Sequence, residues 1–148
     1  MARCAAGREK RQAAMDAGHS IDRPMLGGRR ILIVEDEALL ALLAQDELLE
    51  AGAQIVGPAA SVGEALRLIE MTAMDGGLSA AVLDVKLVGE EVDTVAGRLA
   101  ALGVPFVFAT GYSNDDVMAE HTAAPVLHKP FDPQKLVATL QALTSVPG

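Results

Sequence analysis

The sequence has no Trp, one Tyr and three Phe, so aromatic residues make up 3% of its 148 residues. With 51% of the residues hydrophobic, the core must be aliphatic, built from Leu, Val, Ile and Ala. A single cysteine, Cys4, has no second thiol with which to form an internal disulfide. A reducing, cytoplasmic setting is the expectation that follows. No apolar run nears the roughly 18 residues needed to span a bilayer. The charged N-terminus is not followed by the apolar stretch of a secretory signal, so no membrane partner is expected. Bases are also scarce beyond residue 30. Residues 1–30 hold seven of the twelve Lys/Arg and three of the twenty Asp/Glu, a net of +4; residues 31–148 hold five and seventeen, a net of −12. A domain of that charge repels nucleic acid and favours partners with a basic face.

Residues 1–28 show no sustained period and end in Gly27-Gly28. They read as a disordered basic N-terminal extension, or as a basic arm that docks on a partner, with the domain proper at 29–148. Residues 5–17 have the composition of a short helix, which is marginal in isolation.

From Arg30 the chain alternates. Strands are expected at 31–34, 54–57 (ended by Pro58), 80–84, 104–109 and 124–128. Helices are expected at 37–51, from Ser61 to about 74, at 90–102, at 113–120, and from Pro133 to about 144. Leu39, Leu42, Leu43 and Leu49, with neighbouring alanines, form the apolar face of the first helix. Ser61 and Glu64 have capping-box spacing, and Asp132-Pro133 reads as a cap followed by Pro at the first helical position. Residues 85–89 read as a loop. Five strands alternating with five helices make a doubly wound α/β domain, with a mostly parallel sheet covered on both faces.

Four of the apolar runs end on polar groups: Glu35-Asp36-Glu37, Asp84, Thr110 and Lys129. In an open α/β sheet the carboxyl ends of the strands are where ligands bind. Carboxylates gathered there repel one another unless a cation intervenes, and a hard oxygen site that keeps several waters suits Mg²⁺. Asp36 and Asp84 are the expected direct ligands, with Glu35 acting through water or behind them, although spacing alone does not decide which acid of the run binds directly. Lys129 is a point charge on a flexible stem, turned away from helix by Pro130. Thr110 offers a hydroxyl to the same group. An Asp carboxylate so placed can act as nucleophile on a phosphoryl donor.

Taken together, these residues resemble a response-regulator receiver domain from about Arg30 to Val146. The resemblance implies a flavodoxin-like fold with strand order 2-1-3-4-5. It implies Asp84 as phosphoacceptor, and Mg²⁺ held by Asp36, Asp84 and the backbone carbonyl of Lys86, with Glu35 acting through water. It implies Lys129 as the phosphate-pairing lysine and Thr110 as the switch hydroxyl. The run Phe106-Val107-Phe108-Ala109-Thr110-Gly111-Tyr112 resembles the "FAT GUY" subgroup, largely single-domain regulators that work with histidine kinases of the HWE and related types. The implied partner is a sensor histidine kinase or phosphotransfer protein, with an unidentified protein downstream. The implied chemistry is limited to the chain's own phosphorylation and dephosphorylation, so turnover enzymology is not expected.

Two departures stand out. Val126 occupies the strand-five position where the family commonly has an aromatic switch, leaving Gly111 and Tyr112 as candidate movers. The loop after Asp84 lacks the usual Pro. The competing readings are a receiver-like docking module that works without phosphorylation, and a phosphatase-type α/β enzyme. The second lacks the Asp-x-Asp pattern at Asp84-Val85-Lys86.

Overall fold

The computed structural model describes residues 25–87, 90–111, 121 and 123–144, with backbone only at 86, 87, 90 and 91. Five strands form one parallel sheet: β1 (Arg30–Val34), β2 (Gln54–Ala59), β3 (Ala80–Asp84), β4 (Phe106–Thr110) and β5 (Val126–His128). Their order is 2-1-3-4-5, as the doubly wound reading requires. Four helices lie among the described residues: α1 (Ala38–Glu50), α2 (Val62–Ala73), α3 (Asp93–Ala101) and α4 (Pro133–Thr144). The helix expected at 113–120 falls outside them.

Alternation along each strand sends side chains to two cores. Leu32, Val34, Ala81, Leu83, Phe106 and Phe108 pack with α2 and α3 through Ala65, Ile69, Val95 and Leu99. Ile31, Ile33, Val82, Val107 and Leu127 pack on the other side with Leu48 of α1 and Leu136, Val137 and Leu140 of α4. The inner strands β1, β3 and β4 are buried on both faces, which is why they read as continuous apolar runs.

Caps fix where α2 and α4 begin. Glu64 N donates to Ser61 Oγ at 3.1 Å, while the Glu64 carboxylate accepts from Ala60 N at 3.0 Å, one residue earlier than in an ideal capping box. Gln134 N donates to Asp132 Oδ1 at 2.9 Å, and Pro133 opens α4.

Four expectations are corrected. β2 continues through Pro58 to Ala59 instead of stopping at 57. It is an edge strand, and its register against β1 shifts between Leu32 and Val34, so the missing Pro N–H breaks no ladder. Gly57 makes this shift possible. Its φ is +96°, and a Cβ there would lie 2.8 Å from Ala59 N and 3.0 Å from Ile33 O.

Residues 86–87 and 90–91 are strand, not loop and helix. Lys86–Leu87 pairs antiparallel with Glu90–Glu91, and α3 starts only at Asp93.

Met25–Gly28 belongs to the folded unit. Leu26 is fully buried in the α1/α4-side core, its N–H donates to Ala51 O at 2.8 Å, and Gly28 N donates to Gly52 O at 3.0 Å.

The fourth correction concerns α1. Ala41 and Leu48 face the sheet, whereas Leu39, Leu42, Leu43 and Leu49 are 48–67% exposed. This helix is apolar on both sides, so leucine spacing alone does not identify the inner one.

Candidate functional site

Parallel register brings the ends of β1, β3, β4 and β5 to one edge of the sheet. Asp84 pairs with Ala109 and Thr110 with His128, while Glu35 follows directly on Val34, whose neighbour in β3 is Leu83. Glu35 is fixed by its backbone, with its N–H donating to Ala59 O at 2.9 Å. Asp84 and Thr110 are buried, Glu35 is nearly so, and Asp36 is half-buried.

Lys129 enters this edge from the end of β5. Its backbone N–H donates to Thr110 O at 2.7 Å, tying the ends of β4 and β5 together, and its peptide bond to Pro130 is cis. Its Nζ donates to Glu35 Oε1 at 3.0 Å and lies 3.4 Å from Asp84 Oδ1. The other oxygen of Glu35 accepts from Glu37 N at 3.2 Å. Burial pulls the Lys129 pKa down. The hydrogen bond to Glu35, and the charges of Asp84 and Glu35, outweigh that and hold the ammonium above its ordinary range.

Glu35, Asp36 and Asp84 each place one carboxylate oxygen within 4.8 Å of the others. Glu35 and Asp84 share the Lys129 ammonium, and Asp36 adds a third carboxylate to the same edge. Hard oxygen donors at that spacing fit a divalent cation that keeps part of its water shell. The expected acids are therefore brought together, along with Lys129 and Thr110. Lys86 lies two residues after Asp84, as the first residue of the short hairpin.

Among the switch candidates, Gly111 is exposed, and a Cβ there would meet nothing within 4 Å. Val126 is half-buried against the α2/α3-side core. Tyr112 lies outside the described residues.

Two features escaped the sequence reading. Beside the site, a cleft of about 550 Å³ opens between α1 and α4, bordered by Glu35, Leu40, Leu43, Lys129, Phe131 and Leu136. On the other face, the His121 ring packs edge-on against Phe106, with centroids 5.4 Å apart, and Phe106 packs edge-on against Phe108 at 5.3 Å. Long-range pairing of this kind leaves no local spacing to detect.

No family model matches the chain. The transcriptional regulatory protein PdtaR of Mycobacterium tuberculosis is 30% identical over 132 residues, spanning 86% of this chain and 62% of PdtaR. The solution structure of SdrG from Sphingomonas melonis Fr1 aligns at 44% identity with a TM-score of 0.65, covering 78% of this chain and 96% of SdrG. A CheY-like response regulator receiver domain protein from Methanospirillum hungatei JF-1 aligns with a TM-score of 0.69 over 80% of this chain and 95% of its own. At 24% identity that match supports the fold alone. This chain is a response-regulator receiver domain. Receiver domains interact with kinases and downstream partners in two-component signalling. They typically bind Mg²⁺ through an acidic cluster, and here Glu35, Asp36 and Asp84 supply the acids of such a cluster. No helix among the described residues is long and apolar enough to cross a membrane.

Proposed function

We propose that this receiver domain accepts a phosphoryl group onto Asp84 from the phosphohistidine of a sensor histidine kinase or phosphotransfer protein. The observation that carries the reading is the position of Lys129 Nζ, 3.4 Å from Asp84 Oδ1 and 3.0 Å from Glu35 Oε1, within a cluster of three carboxylates. An Asp84 carboxylate oxygen attacks phosphorus as the bond to the donor histidine breaks, and the ring nitrogen leaves with the electron pair. Lys129 pairs with the incoming phosphoryl oxygens, and the Thr110 hydroxyl donates to them. Asp36, Asp84 and the Lys86 carbonyl would hold Mg²⁺, with Glu35 acting through water; bound there, the ion neutralises phosphoryl charge.

The same reading extends to the output. With Val126 in place of a ring on β5, movement of Thr110, Gly111 and Tyr112 changes affinity for a downstream protein, or the domain serves as a phosphate sink. The Phe106–Tyr112 run supports membership of the FAT GUY subgroup and an HWE-type kinase as donor. The domain acts in the cytoplasm and catalyses only its own phosphorylation and dephosphorylation.

The test is intact mass after incubation with Mg²⁺ and a small acyl phosphate, then with a histidine kinase. One added phosphoryl group, absent without Mg²⁺ and absent in Asp84→Asn, is the expected result. No adduct from either donor, or an adduct that survives in Asp84→Asn, overturns the assignment.

A further inference from the structure

Three observations about α1 and the chain before it point the same way. The outward face of α1 carries Leu39, Leu42, Leu43 and Leu49, which are 67, 51, 50 and 48% exposed. This is a helical stripe of large apolar side chains on a domain surface, and such patches mark interaction sites. Acids accompany the stripe and bases do not. Asp46 lies within it, Glu37 and Glu50 are exposed at its ends, and no Lys or Arg occurs anywhere in α1. An occupant must therefore bring positive charge. A second copy of α1 would bring acids against acids, which argues against self-pairing of this face.

The chain itself supplies the required charge at the required place. Residues 1–24 hold five Lys/Arg and three Asp/Glu; four of the five bases (Arg3, Arg8, Lys10 and Arg11) fall in the first eleven residues. The segment joins the domain at the foot of the stripe. Leu26 N donates to Ala51 O and Gly28 N to Gly52 O, immediately past the C-terminal end of α1. The 13-residue α1 is about 20 Å long, and 24 residues reach farther than that in any regular conformation.

We propose that the basic N-terminal segment, residues 1–24, covers the leucine stripe of α1 within the same molecule, with its bases against Glu37, Asp46 and Glu50. Leu43 of the stripe also borders the cleft beside Glu35 and Lys129.

Cys4 allows a test on the full chain, because it is the protein's one thiol. A nitroxide is attached to Cys4, and paramagnetic broadening of leucine methyl signals is read by NMR. The expected result is selective intensity loss at Leu39, Leu42, Leu43 and Leu49, unchanged on dilution. It should weaken as salt rises toward about 1 M, where screening acts within roughly 3 Å. It should also be abolished in an Arg8→Glu/Lys10→Glu/Arg11→Glu chain. A mixed sample, with the nitroxide on one molecule and the isotope on a Cys4→Ser molecule, separates the sources. Broadening only in the mixture means a second copy covers the stripe and overturns the proposal. Broadening in neither sample, or equal broadening of Leu methyls across the domain, also overturns it.

Discussion

The two ends of the same sheet carry comparable ion pairs in different settings. At the amino end, Arg30 opens β1 and its guanidinium reaches Asp75 Oδ2 at 3.1 Å and also the carbonyls of Asp75 and Gly77; the two side chains of the pair are 29% and 82% exposed. At the carboxyl end, Lys129 meets Glu35 at 3.0 Å, and these side chains are 21% and 9% exposed. The amino-end pair is one charge against one, in water, and ties the turn after α2 to β1. The carboxyl-end cation meets two carboxylates, Glu35 and Asp84, with Asp36 close beside them, an arrangement that a purely structural pair would not need. Acids gathered in a buried place distinguish the carboxyl edge from the amino one.

The largest effect is on phosphoryl uptake. Asp84→Asn should abolish it, whereas Asp75→Asn at the opposite edge should leave both rate and extent unchanged, as read by intact mass. Equal losses would erase the distinction between the edges.

Stability comes next. Lys129→Ala leaves Glu35 and Asp84 without their cation and should cost about 1–3 kcal/mol in urea unfolding without Mg²⁺. Asp75→Ala should cost less than about 1 kcal/mol, as exposed pairs do. Mg²⁺ at about 100 times its dissociation constant should stabilise the wild type by roughly 2.7 kcal/mol. It should stabilise Asp84→Asn less at the same concentration.

The pH dependence follows from the raised pKa of Lys129. A cation held more tightly in the folded state contributes fully below its unfolded value, about 10.4, and loses that contribution as pH rises through the higher folded value. The stability gap between wild type and Lys129→Ala should therefore be flat from neutral pH to about 10 and shrink above it. A gap that widens with alkalinity would contradict the pairing.

The smallest effect is on α1. Leu42→Ala should change stability by no more than about 0.5 kcal/mol, against about 2–5 kcal/mol for Leu48→Ala. Comparable costs would mean that the outward stripe is core after all.

That last contrast also shows where the sequence stopped being legible. The sheet edge could be read in advance because four of the five strands are short apolar runs that stop on a polar residue, and parallel register aligns those stops. The caps at Ser61 and Asp132 could be read because they depend on residues two or three apart. The orientation of α1 could not, since leucines lie on both sides and only contact with the sheet distinguishes them. The passage of β2 through Pro58 was hidden because a proline reads as a stop unless the strand is known to be an edge. The pairing of Lys129 with Glu35 spans 94 residues and became visible only with the fold. The closing of β4 onto His121 was equally invisible, since it joins rings from separate parts of the chain.

Among the acids at the carboxyl edge, Asp84 alone is proposed to carry the phosphoryl group. Borohydride reduction of the phosphorylated chain converts an acyl phosphate into a stable alcohol, and peptide mass spectrometry then locates it. The reduced residue is expected at position 84 and nowhere else. A reduced residue at Glu35 or Asp36, with Asp84 intact, would contradict it.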